Sequence, residues 1–373
     1  MKKSILLILV FLLIACSTTE VEEGSIEETI SDSESTITTQ SSNNNDTADS
    51  TTTSVVEKYN FDNEKMSPFT GIELPPELWL KRPRRVIAFK IDNNINARPQ
   101  SGLQEADSVY EILVEGGMTR FLALFLDNTS KYLGPIRSAR PTDPTVIRPF
   151  DATLVVSGAT EGLIPSIREL GIPVLEEVNS PAMFRIGSRK APHNLYADTE
   201  LVRGVIDSKG YKFLQPGPNP LYPFGFDQTT WNAGANKITI KYSEYTTVIW
   251  KKDGQKYSRF IIDGYSNDKE AVAHNFISQD GNYSDILSTE SIVVIQGALY
   301  KDKATTLPSI LTVGIGDLFI FNDGKYTQGT WRRTDITEPF EFYDINQNPI
   351  EVPPSSQWIH IVPNEGQISW SNS

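Results

Sequence analysis

The chain has 373 residues, a single cysteine, 10% aromatic residues and a formal net charge of -13. One cysteine excludes an internal disulfide and a cysteine-rich metal centre. The acidity is local: residues 17–60 carry a net -9 and residues 61–373 only -6, and neither stretch has the basic face that nucleic acid requires.

Lys2 and Lys3 precede an apolar run over residues 5–14, too short to stay in a bilayer as a spanning helix. The run ends Leu13-Ile14-Ala15-Cys16. That is the pattern of a lipobox, whose cysteine thiol receives diacylglycerol before cleavage. Residues 1–15 are therefore expected to be a lipoprotein signal peptide and Cys16 the lipidation site. The mature chain would be held by acyl chains at the extracytoplasmic face of the cell membrane. Residues 16–60 are Ser, Thr, Asn and acids, with no aromatic before Tyr59. Such a segment cannot bury enough apolar surface to offset its ordering entropy, so a disordered stalk with a reach of roughly 35–40 Å is expected.

Order is expected from Phe61. Residues 84–92 read as a strand, and residues 109–115 and 119–126 as a hairpin around Gly116-Gly117. Strict alternation puts Glu111, Leu113 and Glu115 on one face of the hairpin and Tyr110, Ile112 and Val114 on the other. Residues 153–157 make a third buried run. Residues 164–170, closed by Gly171, and residues 199–208, opened by Asp198 or Thr199, read as helices. Three prolines in residues 215–220 break the pattern. Beyond them, runs at 237–242, 245–251, 256–262, 292–296, 318–321, 340–343 and 358–362 predict short strands, suggesting a small barrel or sandwich. Gly314-Ile315-Gly316-Asp317 reads as a turn or bulge rather than a phosphate loop.

Three strings carry a family resemblance: residues 97–103 (ARPQSGL) continuing to Asp107, Glu111 and residues 115–120 (EGGMTR); residues 134–140 (GPIRSAR); and residues 189–196 (RKAPHNLY). Together they resemble the YerB-like lipoprotein family of Gram-positive bacteria, with a looser match through Gly314-Ile315-Gly316, residues 329–333 and Trp358. The resemblance implies an α+β chain. A layered N-terminal domain of mixed sheet and helix, ββα sandwich-like, would occupy residues 61–220. A smaller, mostly β domain would occupy residues 221–373. It implies no reaction.

The same strings concentrate residues that are costly to bury. Arg98, Arg120, Arg137, Ser138, Arg140, Arg189, His193, Asn194 and Tyr196 are the candidate ligand contacts, with Asp107, Glu111 and Glu115 as acidic partners. Guanidinium forks on proline-fixed loops suit a carboxylate or phosphate. Arg98, Arg137, Arg140, Arg189 and His193 are expected to converge on one surface. A structural ion-pair network would use the same residues. His193 lies in a turn, with Asp198 or Glu161 as conceivable orienters and Ser138 or Ser157 as conceivable nucleophiles. No Gly-x-Ser-x-Gly, Ser-x-x-Lys or His-Glu-x-x-His motif is present, so no catalytic residue is assigned. No cofactor and no metal are expected. Trp331, flanked by Arg332 and Arg333, is the best seat for a sugar ring. The leading expectation is a non-enzymatic binding or scaffolding lipoprotein of the cell envelope, its partner an anionic cell-wall polymer or an envelope protein. The alternative is a glycan hydrolase or transferase using Asp107, Glu111, Glu115 and His193 as acid and base.

Overall fold

The run IAFKI, apolar at every position but one, forms β1 (Ile87–Ile91), buried along its whole length. The computed structural model describes residues 59–62, 64–79, 84–177, 181–214, 218–267 and 269–373. The expected signal peptide, Cys16, the stalk as far as residue 58 and residues 215–217 of the proline break lie outside the described residues. The hairpin forms as β2 (Ser108–Leu113) and β3 (Thr119–Phe125), and β4 (Thr153–Val155) and β5 (Val174–Leu175) follow. Three helices matter below: α1 (Thr142–Ile147), α2 (Leu163–Glu169) and α3 (Thr199–Ser208). Asp198 caps α3 by accepting from the N–H groups of Glu200 and Leu201.

The second half adds β6 (Lys237–Lys241), β7 (Thr246–Asp253), β8 (Lys256–Asp263), β9 (Ser291–Gly297) and β10 (Gly314–Asn322). It ends with β11 (Lys325–Arg333), β12 (Glu341–Asp344), β13 (Gln357–Pro363) and β14 (Gln367–Ser371). These strands close no barrel; expected from sequence as a barrel or sandwich, they are divided between two sheets. One sheet runs β12-β11-β10-β9-β13-β2-β3-β1-β4-β5 and so crosses the proline break. Its seam is the parallel pairing of β13 with β2, in which Glu111 lies opposite His360. The second sheet runs from Val272–Ala273 through β8, β7 and β6 to β14. The chain is α+β, and Val55–Ser373 form one compact unit.

β1, β2, β3 and β13 are buried at every residue, so both faces of the large sheet are covered there. On one face Trp250 of β7 meets Trp358 of β13 edge to face at 5.3 Å, worth about 0.5–1.5 kcal/mol beyond the area it buries. A polar residue on these strands has no water to turn to, and this decides the site. Two smaller expectations also change. Gly314-Ile315-Gly316-Asp317 is not a turn but the start of β10, and a Cβ at Gly316 would lie 2.3 Å from the Gln296 carbonyl oxygen. Trp331 is only 1% exposed and donates its indole N–H to the same carbonyl at 2.7 Å, so it offers no ring to a sugar.

Candidate functional site

Two polar assemblies grow from β1 and β2. The first is sealed. Glu111 points between the two sheets and is wholly buried, as is its partner Arg259 of β8, with Nη2 2.7 Å from Oε1. Thr119 donates to Oε1 at 2.8 Å and Trp358 to Oε2 at 3.1 Å. Arg259 and its neighbours hold this carboxyl below its usual range despite burial. His360 lies beside it, Nδ1 3.6 Å from Oε2. Trp250 donates to His360 Nε2 at 3.0 Å, and Tyr242 donates to the Glu111 carbonyl at 3.0 Å. The Tyr242 oxygen, 2.8 Å from Nδ1, is then left to accept, so the imidazole is neutral with its proton on Nδ1. A second proton would face the Trp250 N–H, and burial pushes the His360 pKa down to about 3. His274 is equally buried; one ring nitrogen faces Arg259 and the other lies 2.7 Å from Gln100 Oε1.

The second assembly is half open. Asp92, at the end of β1, lies 3.2 Å from Arg137 Nε and 2.6 Å from His193 Nδ1. Its own side chain is 3% exposed, whereas Arg137 is 24% and His193 17% exposed. Behind it Lys90 meets Asp143 of α1 at 2.6 Å, both fully buried, and burial lowers the Lys90 pKa to about 8. Glu115, at the hairpin turn, holds Arg140 through both carboxylate oxygens and Arg120 at 3.4 Å. Those bonds carry its pKa down to about 2. Arg120 also donates to the Ser138 carbonyl at 2.9 Å, and Arg140 to the Ala139 carbonyl at 2.7 Å. Lys90, Arg120, Arg137 and Arg140 therefore face Asp92, Glu115 and Asp143, four cations against three carboxylates.

The expected single convergence divides into several places. Arg98 turns away to Asp263 of β8 at 2.7 Å, and Arg189 donates to the Pro99 carbonyl. Asn194 accepts from Arg185 at 2.8 Å, so it is engaged away from Asp92. Tyr196 is a buried ring stacked 4.5 Å from Tyr132, its pKa raised by burial to about 12. Ser138 contributes its carbonyl rather than its hydroxyl. Asp107 is no arginine partner: it accepts from the N–H groups of Leu126, Asp127 and Asn128, and burial raises its pKa to about 7. Glu111 pairs with Arg259, not with an arginine of its own half. His193 is oriented by Asp92 rather than by Asp198, which caps α3, or by Glu161.

Sequence reading missed Lys90, Asp92, Asp143, Arg259 and the two buried histidines. A signal was present for some. Alternation puts Arg259 on the face of β8 shared by Tyr257 and Ile261, all buried, and a lone Arg on an apolar face demands a buried partner. Lys90 inside IAFKI makes the same demand.

A sheet spanning both halves, with an arginine-carboxylate cluster beside β1 and the hairpin turn, defines an α+β chain of two parts. Residues 69–212 and 237–359 match the N-terminal and C-terminal domains of a protein of unknown function family (DUF3048). The "Putative lipoprotein YerB" of Bacillus subtilis (strain 168) is 29% identical over 234 residues, 58% of this chain and 70% of YerB. The crystal structure of YerB from Bacillus subtilis superposes with a TM-score of 0.67 at 24% identity, covering 82% of this chain and 99% of that one. The chain belongs to the DUF3048, YerB-like family.

Proposed function

We propose that this protein is anchored by a lipid on Cys16 at the extracytoplasmic face of the membrane and acts there as a non-enzymatic binding or scaffolding protein. Its ligand is a carboxylate- or phosphate-bearing polymer of the cell envelope. The supporting observation is the state of Arg137. Its Nε lies 3.2 Å from Asp92 Oδ2 as an ion pair without hydrogen-bond geometry, and its two Nη groups have no acceptor among the described residues. Arg98, Arg120 and Arg140, by contrast, are bonded through their terminal nitrogens. A guanidinium held near one carboxylate by charge alone, with all its donors unclaimed, is available to an anion, and His193 stands on the same Asp92. The cation surplus of the cluster supports the same sign of ligand. The hydrolase alternative is the weaker reading, since Glu111 is sealed, both oxygens of Glu115 are taken by Arg140 and Asp107 serves backbone amides.

The test is calorimetric titration of the full chain with a poly(glycerol phosphate) oligomer and with a muropeptide bearing free carboxylates. Binding by one of them, weakened about tenfold or more by Arg137→Ala, is expected. No binding to either probe contradicts the reading. For the anchor, labelled palmitate should enter the chain in cells and be lost in Cys16→Ala.

A further inference from the structure

The last strand, β14, is one edge of the second sheet. Its inner side pairs with β6 from Gln367 opposite Lys241 to Ser371 opposite Lys237, and among the described residues no strand lies on its outer side. No backbone hydrogen bond from a loop or turn of the described residues reaches residues 367–371. Natural edges are usually guarded by a charge, a proline or a bulge. Gln367-Ile368-Ser369-Trp370-Ser371 has neither charge nor proline. The strand is firmly seated all the same: Trp370 packs against Phe319, Phe321 and Tyr326 with centroids 5.8, 5.5 and 4.8 Å apart. It is a rigid, unguarded template.

At the Gln367 end a groove of about 540 Å³ opens. Leu113, Leu299 and Pro308 give it an apolar lining, Glu244 and Glu365 line it as well, and Lys241 is its single basic lining residue. Glu244 and Glu365 are exposed and enter no ion pair among the described residues. We propose that β14 and this groove bind an extended segment of a partner protein by strand addition. The segment would carry a Lys or Arg that reaches Glu244 and Glu365. Backbone bonds along the edge would supply affinity, and the acidic groove would select the side chain. Charge decides against the other occupants. A second copy paired antiparallel along this edge would set its uncharged residues 367–373 against β14 and bring no cation to Glu365. The chain's own residues 17–60 carry a net -9 and would be repelled.

Three synthetic nonapeptides test this on the full chain in detergent. One alternates Thr and Val between terminal lysines, one replaces those lysines by glutamate, and one keeps the lysines but is N-methylated at alternate amides. The lysine peptide should bind and slow amide hydrogen exchange across residues 367–371. The Glu244→Gln/Glu365→Gln pair should weaken that binding about tenfold, and the other two peptides should fail to bind. Equal binding by the glutamate peptide, or binding that leaves exchange in β14 unchanged, overturns the proposal. So does peptide-free protection of β14 that rises with protein concentration, which would assign the edge to a second copy.

Discussion

Glu111 and Asp92 are both carboxylates at the strands of one sheet, both set against an arginine and a histidine, yet their surroundings make them opposites. Around Glu111 every member is sealed between two sheets, so its polar atoms turn to partners inside the protein, Arg259 Nε alone of the Glu111–Arg259 pair being left without one. Around Asp92 the carboxylate is buried but Arg137 and His193 keep an outer side in water. The first arrangement can only fasten; the second can exchange solvent for a ligand. Residue type did not separate them, and depth did. They are also linked: Asn93 donates to Thr119 at 2.8 Å, and Thr119 donates to Glu111.

The contrast breaks most visibly at Glu111. Glu111→Ala leaves Arg259 buried without its counter-charge and should cost about 3–5 kcal/mol in denaturant unfolding. A loss near 1 kcal/mol would mean that water enters between the sheets. Acid should act on the same cluster. Folded His360 protonates only near pH 3, whereas an unfolded histidine does so near 6.5, so the unfolded chain binds more protons between those values. The stability that His360 contributes should therefore fall as the pH drops from 6.5 toward 3, against the opposite contribution of Asp107, and His360→Gln should remove that fall from melts compared with the parent chain across the window. The hairpin turn comes next. Arg140→Ala removes the two bonds to a Glu115 that is still near Arg120, and about 1–2 kcal/mol is expected by thermal melting. At the open end, Arg137→Ala should cost under about 1 kcal/mol while weakening the anion binding proposed above about tenfold or more. If it destabilised the fold as strongly as Glu111→Ala, the two clusters would be one structural network.

Much of the fold was legible along the chain because it rests on local chemistry. The period-two runs of β2, β3 and β6 to β8, the Asp198 cap of α3 and the Gly171 that ends α2 were each visible in neighbouring residues. The strings around Arg98, Arg137 and His193 marked the region where polar groups gather. Alternation also set Glu111 and Glu115 on one face, but it could not say that one would be sealed and the other left at the rim.

The partition of strands between sheets was a matter of tertiary structure. β13 joins β2 across more than two hundred residues of chain, and a parallel pairing of that kind leaves no turn signal between its members. The same holds for the charges. The sequence by itself determined the lipobox, the acidic segment, the element pattern and the supply of arginines, since each depends on residues close in the chain. Which arginine meets which acid was decided by packing alone: Arg259 reaches Glu111, Arg98 reaches Asp263, and Arg137 shares Asp92 with His193. Electrostatic partners are chosen by distance and by the absence of water, and both exist only once the two sheets have closed on each other.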